Sequence, residues 1–359
     1  MVNATILEQK LNQTTARMMT LKNHSMEEKF PISLIDINCW EWPQGVGLFG
    51  LYKYYKINRD QNILAFLIQW FDDRIKEGIS EKNVNTTAPM LTLTYIYEQT
   101  KDERYLQLIT EWSDWIMKDK KLIRTGDDCF QHMITGDPND GEILIDTIFM
   151  TLLFLARAGR LLKRKEYLEE VNYQILNHIK YLYDKQSGLF FHGFNFNDNH
   201  NYGKVHWGRG NGWYTIGIME LLSDNCIDEA LRRYYLSVYK AQANALLKYA
   251  DEKTGLWHTV IDDDSSYIEL SASSAFLCGI MQGVRASILD RKTYEPLIEK
   301  AIEHMLDYIA EDGTVLQVSY GTPIGSTKEF YKEIPCCAMT YGQALMILCL
   351  QEAMVDYWH

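Results

Sequence analysis

The chain has 359 residues, 47% of them hydrophobic, and a formal net charge of −12. This composition is typical of a globular protein with enough apolar material for a large core. The negative charge argues against a general nucleic-acid binder and against contact with an anionic membrane surface, so we expect neither kind of partner.

Helix dominates the predicted secondary structure, because prolines number only seven and many runs have apolar residues at helical spacing. Six predicted helices are apolar almost all round, as expected of helices that are buried on both faces. In chain order they begin near Gly47, Ala88, Ile145, Gly212, Ala272 and Ala338.

More amphipathic, charge-bearing helices alternate with these six. They are predicted at residues 60 to 77, 102 to 119, 165 to 183, 228 to 250 and 293 to 310, and a helix near residues 4 to 22 supplies the sixth. Six buried and six covering helices predict an all-α (α/α)6 barrel, a six-hairpin toroid, formed by a single catalytic domain over residues 1 to 359.

A recurring phrase supports the repeat. DKQSGLFFH at 184 to 192 and DEKTGLWHT at 251 to 259 follow two of the covering helices, and EDGTVLQVS at 311 to 319 is a looser copy. Equivalent loops in successive hairpins are typical of repeat architectures. The alternative is an irregular helical bundle or solenoid that does not close.

The sequence also predicts a cytoplasmic location. Residues 1 to 24 have no continuous apolar region and no cleavage-site pattern, and no run elsewhere reaches the ~18 apolar residues of a membrane span. The cysteines show neither metal-binding CxxC spacing nor a disulfide framework, so we expect reduced core residues. They are Cys39, Cys129, Cys226, Cys278, Cys336, Cys337 and Cys349.

The loops that lead into the inner helices of such a barrel meet at one end, where they line a pocket. These loops contain aromatic, carboxylate and histidine side chains. A sugar has weakly polar faces and a belt of hydroxyls, so its site needs flat rings beside directional hydrogen-bonding groups. We therefore predict a carbohydrate site with Trp40, Trp42, Trp207 and Trp213 as platforms. The alternative is that these tryptophans plug the core.

The segment WGRGNGW at 207 to 213 is interpreted as a loop that holds a flat acidic ring. Its glycines allow the backbone to approach a ligand closely. Arg209 offers a planar fork of donors that suits a carboxylate.

Asp146 is the candidate acid or base, because it lies within the apolar run ILIDTIFMTLLFLA. A buried carboxylate is unfavourable unless it is paired or functional, and burial is expected to raise its pKa toward the range useful for proton transfer. The alternative is an N-cap of the third inner helix. Asp137 and Asp140 are interpreted as turn or cap residues. Glu269 is a second candidate acid, with a structural cap or hydrogen-bonding residue as the favoured interpretation.

Other candidate substrate contacts lie at the remaining pocket loops. His132, His192 and His206 are placed to contact substrate, but no histidine pair has a convincing carboxylate third ligand, so we expect no metal and no other cofactor. Further candidates are Asn85, Lys332 and Tyr341.

Four motifs resemble one enzyme family over nearly the whole chain. ILIDTIFM at 143 to 150, GLFFHG at 188 to 193, WGRGNGW at 207 to 213 and YIELSAS at 267 to 273, in this order, are similar to the unsaturated uronyl hydrolases of glycoside hydrolase family 105 and the related family 88. The resemblance implies a hydrolase that removes a 4,5-unsaturated uronic acid from the non-reducing end of lyase-generated oligosaccharides, of the rhamnogalacturonan or pectin type. It also implies that one carboxylic acid hydrates the C4=C5 double bond.

Residue by residue, Asp146 matches the family's catalytic aspartate, and Trp207, Arg209 and Trp213 match its substrate-contacting motif. His192 falls in a segment that commonly reaches the pocket. The chain has Leu144 where many relatives have tryptophan. In addition, residues 83 to 89 contain no acid where family 88 has a second aspartate, which favours family 105.

Three other functions stay open. One is an unsaturated glucuronyl hydrolase acting on ulvan or glycosaminoglycan fragments. A second is a sugar epimerase, which the poor pairing of histidines disfavours, and a third is a sugar-binding barrel without catalysis. The sequence leaves the uronic acid, the neighbouring sugar and the oligomeric state undetermined.

Overall fold

The computed structural model describes residues 3–22, 36–117 and 122–358. Six helices form an inner ring and six cover it. The inner helices are α2 (Trp42–Asn58), α4 (Ala88–Thr100), α6 (Leu153–Leu161), α8 (Gly208–Ser223), α10 (Leu270–Arg285) and α13 (Thr340–Trp358). The outer helices are α1 (Ala4–Met18), α3 (Gln61–Glu77), α5 (Glu103–Met117), α7 (Lys165–Leu182), α9 (Glu229–Tyr249) and α11 (Arg291–Met305).

The inner helices close a ring. Each packs against the next, from α2 through α4, α6, α8 and α10 to α13, and α13 packs against α2. Helices α3, α5, α7, α9 and α11 each pack against the inner helix that precedes them, and α1 packs against α13. The fold is therefore an (α/α)6 barrel, as predicted, and the open bundle or solenoid is excluded. That residues 1 to 359 form one domain stays a prediction.

Short strands and helices lie at the end of the barrel where the polypeptide enters the inner helices. Strands β1 (Glu142–Leu144) and β2 (Gly193–Asn195) form an antiparallel pair. Helix α12 (Lys328–Lys332) lies in the last of these loops. Within the described ranges, none of the helices has both the length and the apolar character needed to cross a bilayer.

Helix starts differ from the prediction by a few residues, as at α2, which begins at Trp42 rather than near Gly47. The third inner helix also differs in its first turn. Instead of starting near Ile145, it begins with a π-helical turn, Ile148–Leu152, that precedes α6. Such turns are rare and occur frequently at functional sites. The predicted helix at 293 to 310 ends in a 3-10 turn, Leu306–Tyr308, and the predicted end at 119 lies outside the described residues.

The recurring phrases form the same turn. The carboxylate of Asp184 accepts the main-chain N–H groups two and three residues later, and that of Asp251 does the same. In both turns the aspartate N–H donates to the carbonyl five residues later, on Leu189 or Leu256. This geometry supports equivalent loops in successive hairpins.

The expectation of core cysteines holds in part. Cys129, Cys226, Cys278 and Cys349 are buried. The other three lie in partly exposed loop positions, where the apolar pattern that marks the inner helices is interrupted.

WGRGNGW is the beginning of α8 and not a loop, which corrects the sequence interpretation. A Cβ atom on Gly208 would lie 2.9 Å from the Cβ of Ala272, and one on Gly212 would lie 2.8 Å from the Cβ of Ala275. These distances are too short for carbon atoms in contact. Both glycines therefore allow α8 to approach α10 closely, rather than bringing the backbone to a ligand.

Gly212→Ala is expected to lower the free energy of unfolding by about 1 to 2 kcal/mol. Overpacking of about 1 to 3 kcal/mol exceeds the gain in helix propensity of up to about 1 kcal/mol. Urea denaturation measures the change. In Gly212→Ala/Ala275→Gly the methyl group moves to the facing helix, so this double variant should be more stable than the sum of the single changes predicts. Strict additivity would contradict the packing argument.

Candidate active site

A cavity of about 270 Å³ opens at the end of the barrel where the chain enters the inner helices. Six residues that the sequence singled out line it: Trp42, Asn85, His132, Asp146, Trp207 and Arg209. The loop from Gly321 to Ile324 and the side chains of Asp137 and Glu142 complete much of the wall. The structure thus brings together residues from five of the loops at this end of the barrel.

Asp146 is held by two of the predicted residues. Its Oδ1 accepts a hydrogen bond of 3.1 Å from Nε1 of Trp213, and its Oδ2 lies 3.5 Å from Nε2 of His192. In the described part of the chain, neither oxygen accepts a main-chain N–H of the helix that follows. The carboxylate is therefore fixed by side chains at the cavity wall and is not a helix cap.

The pKa of Asp146 differs from the sequence expectation. Burial raises it, but the hydrogen bond from His192 and electrostatic attraction by His192, His132 and Arg209 lower it. The net pKa lies below the usual value of 3.8. The expected net rise is therefore wrong for the ligand-free protein, because burial is outweighed by these neighbours, and Asp146 is a carboxylate at neutral pH.

His132 is buried beside Asp146. Its Nδ1 lies 2.9 Å from Oγ1 of Thr147. Burial lowers the pKa of His132 to about 4, although attraction by Asp146 opposes this shift. The imidazole is therefore neutral at physiological pH. His178, also buried near Asp146, has a pKa that burial lowers in the same direction.

His132 makes stability depend on pH. Its pKa is about 4 in the folded chain, against an ordinary value of 6.5. Between these two pH values the imidazole is mostly protonated in the unfolded chain and mostly neutral in the folded chain. Stability is thus lost as pH falls from 6.5 to 4, and at pH 5 the loss from this residue is about 2 kcal/mol. Urea denaturation at pH 7 and pH 5 should show a smaller difference in His132→Gln than in wild type.

The exposed His200 provides the matched control. His200→Gln should leave the pH difference as it is in the wild type. His178, whose pKa burial also lowers, accounts for part of the pH difference that remains in His132→Gln. An equal pH difference in the wild type and His132→Gln would show that His132 is not buried in its neutral form.

Aromatic rings and one guanidinium form a continuous stack along the cavity. Trp42 stacks on Tyr341 with ring centroids 4.6 Å apart. The guanidinium of Arg209 lies between Tyr341 and Trp207, 4.6 Å from each ring centroid. Trp207 in turn packs against His192, with ring centroids 4.2 Å apart. Packing against these rings therefore fixes the positions of Arg209 and His192 beside Asp146.

Arg209 does not present its fork to the cavity as predicted. One terminal nitrogen donates to the carbonyl and hydroxyl of Ser319, and the other donates to the Tyr320 carbonyl and to Oγ1 of Thr322. These acceptors occupy the two terminal nitrogens of Arg209, which is only 1% exposed, whereas its buried Nε has no hydrogen-bond partner among the described residues. Arg209 therefore holds the loop that forms one wall of the cavity.

Two predicted contacts lie elsewhere. Trp40 is buried in the core, where its Nε1 donates to the Thr86 carbonyl and its ring stacks on Trp70. Lys332 is 2.7 Å from Oδ2 of Asp263, away from the cavity lining. Both sequence predictions are therefore corrected: Trp40 plugs the core, and the charge of Lys332 is balanced by a surface carboxylate.

Two other loop residues have structural partners. His206 lies between the carboxylates of Asp184 and Asp262, at 3.3 and 3.2 Å. Glu269 is the N-cap of α10 and accepts the Ala272 N–H at 2.7 Å, as interpreted from the sequence. Among the residues that the structure describes, no group of three or more His, Cys, Asp and Glu side chains could hold a metal ion.

Sequence reasoning missed Tyr331, whose Oη lies 2.7 Å from Nδ1 of His192. Asp137 is a turn residue, as interpreted, because its carboxylate accepts the Asn139 N–H at 2.9 Å, but sequence reasoning missed that Asp137 also lines the cavity. Leu144, the position where many relatives were expected to have tryptophan, is part of the same lining.

Comparisons with known proteins identify a family and several relatives of this chain. The sequence pattern described as Glycosyl Hydrolase Family 88 matches residues 12–356. The chain is 29% identical to the protein named unsaturated rhamnogalacturonyl hydrolase YesR of Bacillus subtilis, covering 88% of this chain and 90% of that one. It is 25% identical to a protein of Formosa agariphila named unsaturated 3S-rhamnoglycuronyl hydrolase, covering 85% and 82%. A crystal structure described as a possible member of the GH105 family, from Salmonella enterica, is similar with a TM-score of 0.93 and 40% identity, covering 99% of this chain and 95% of that one.

Proposed function

Because the chain belongs to glycosyl hydrolase family 88, we propose that it removes a 4,5-unsaturated uronic acid from the non-reducing end of oligosaccharides, with Asp146 transferring the proton. The observation that carries this proposal is the placement of the Asp146 carboxylate at the cavity wall, between Trp213 and His192. A carboxylate fixed in this way by buried side chains is suited to proton transfer at a defined atom.

The reaction requires one acid. Protonated Asp146 donates its proton to C4 of the unsaturated ring while water adds at C5, and the resulting carboxylate takes a proton from that water. The product is a hemiketal at C5. Its ring opens and the rest of the oligosaccharide leaves, which breaks the glycosidic link without attack on the anomeric carbon. Residues 83 to 89, at the entrance to α4, contain no acid, and Asn85 is the residue of this segment that lines the cavity. The absence of an acid from this segment is consistent with a single-carboxylate route.

The low pKa of Asp146 in the ligand-free protein is compatible with this acid role. A uronate carboxylate that enters the cavity adds a like charge beside Asp146, and a like charge raises the pKa of a carboxyl group. Exclusion of water by the sugar acts in the same direction. Substrate binding therefore favours the protonated form that the first step needs.

Charge at the cavity favours a neutral sugar next to the uronate. Asp137, Glu142 and Asp146 line it with a single guanidinium, that of Arg209, among the described lining residues. A sulfate or second carboxylate would face these acids, and like-charge juxtaposition costs several kcal/mol. We therefore favour rhamnogalacturonan-type fragments over sulfated ulvan or glycosaminoglycan fragments.

Ultraviolet absorbance of the conjugated C4=C5 uronate tests both the proposed reaction and the proposed substrate class. Lyase-generated disaccharides from rhamnogalacturonan should lose this absorbance, and kcat/KM on sulfated disaccharides should be lower by a factor of about 10 or more. A preference for the sulfated disaccharides would refute the proposed substrate class. Binding of every disaccharide without loss of absorbance would instead indicate a sugar-binding barrel.

A further inference from the structure

Tyr331 connects the cavity wall to the histidine beside Asp146. It lies on α12 and is only 1% exposed. Its Oη accepts the main-chain N–H of Gly325 at 2.9 Å and lies 2.7 Å from Nδ1 of His192. Gly325 directly follows the segment from Gly321 to Ile324 that lines the cavity.

The direction of these hydrogen bonds follows from counting protons. The Gly325 N–H can only donate, so Oη accepts from it. The hydroxyl proton of the buried Tyr331 then needs an acceptor, and Nδ1 of His192 is the one that the described residues provide. Nδ1 therefore lacks a proton, and the imidazole carries its proton on Nε2.

Nε2 of His192 faces the proposed catalytic group. It lies 3.5 Å from Oδ2 of Asp146, and both atoms are buried without a hydrogen-bond partner in the described part of the chain. A proton on Nε2 directs an N–H toward this oxygen, whereas a proton on Nδ1 would place two lone pairs against each other. The tautomer of His192 thus decides whether Asp146 is supported or repelled.

We propose that Tyr331 is a positioning residue that holds His192 in the Nε2–H tautomer and so aims a donor at Asp146. The role in turnover rests on the function proposed above, but the tautomer itself does not. Because Oη also binds the Gly325 N–H, the same hydroxyl couples the position of the cavity wall to the orientation of the imidazole.

The tautomer is measured directly by ¹⁵N NMR of the protein labelled at histidine. His192→Gln identifies the resonances of His192. In the wild type, Nε2 should carry the proton and Nδ1 should not. In Tyr331→Phe the Nδ1 atom loses its donor, so the protonated-Nδ1 form should appear. A proton on Nδ1 in the wild type would overturn the proposal without any variant of Tyr331.

Kinetics give the second readout. Tyr331→Phe should lower kcat on an unsaturated disaccharide about 10- to 100-fold, as loss of an orienting partner commonly does, with a much smaller change in KM. The pH dependence of kcat should also shift to higher pH, because Asp146 loses the donor that lowers its pKa. An unchanged tautomer together with unchanged kcat would reject the positioning role.

Tyr235→Phe is the matched control, since Tyr235 is equally buried and donates to the Asn172 carbonyl, and neither residue lines the cavity. It should lose comparable stability with no change of tautomer, kcat or pH profile. If the wild type does not turn over any unsaturated disaccharide but the tautomer depends on Tyr331, the proposed function fails and the positioning of His192 stands.

Discussion

Asp146→Asn is expected to lower kcat on an unsaturated disaccharide by about 10³-fold, within the range of about 10² to 10⁴ that general acid–base groups contribute. The amide keeps an oxygen that can accept the N–H of Trp213, so the side chain should stay in place. It cannot deliver a proton to C4 or take one from water. Loss of ultraviolet absorbance at saturating substrate measures the change.

Asp140→Asn is the control, because Asp140 is an exposed carboxylate in the same loop and lies outside the cavity lining. It removes the same formal charge and should leave kcat nearly unchanged. The Asp146 variant should still bind the disaccharide, since binding depends on the rest of the cavity. Full activity of Asp146→Asn with unchanged binding would refute the assignment of Asp146.

Apolar spacing was enough to predict the barrel. In α3 the buried residues Ile63, Leu67, Trp70 and Phe71 recur at intervals that place them on one face, and the other outer helices follow the same rule. Inner helices such as α2 are buried on nearly all sides, which an all-round apolar composition reveals. Only the tertiary packing, however, shows that α1 covers α13 and that α13 packs against α2 to close the ring.

The candidate site was predictable where the signal is local in sequence. An acid within a long apolar run identified Asp146 without any knowledge of its partners. By contrast, the partner of Trp40 is the carbonyl of Thr86, 46 positions away, and nothing near Trp40 distinguishes a core plug from a sugar platform. Tyr331 escaped notice for the same reason, because His192 lies 139 positions from it.

The meaning of Arg209 also depended on distant contacts. Sequence suggested a fork open to a carboxylate, yet the acceptors of its shortest hydrogen bonds lie 110 to 113 positions further along the chain. A motif that contains an arginine and glycines at a helix start is compatible with ligand binding and with packing alike. Tertiary structure assigns the glycines to helix packing and the arginine to the loop at the cavity wall.

Arg209→Met is expected to lower the free energy of unfolding by about 3 to 5 kcal/mol, as for other buried ion pairs that lose one partner. The Glu269 carboxylate, 3.8 Å from the guanidinium, would stay buried without a positive neighbour. The acceptors on Ser319, Tyr320 and Thr322 would lose their donors as well. Urea denaturation measures the loss, and Arg104→Met, at an exposed arginine, should change stability far less.

Glu269→Gln separates the two causes. If the uncompensated charge of Glu269 dominates, Arg209→Met/Glu269→Gln should be more stable than the sum of the single changes predicts, whereas additivity would assign the loss to the loop. Arg209→Lys keeps the charge but has no planar fork to hold Ser319 and Thr322 together. Arg209→Lys should therefore lower kcat/KM, because the cavity wall from Gly321 to Ile324 loses its anchor. Its free energy of unfolding should fall less than that of Arg209→Met, because Glu269 keeps a cation.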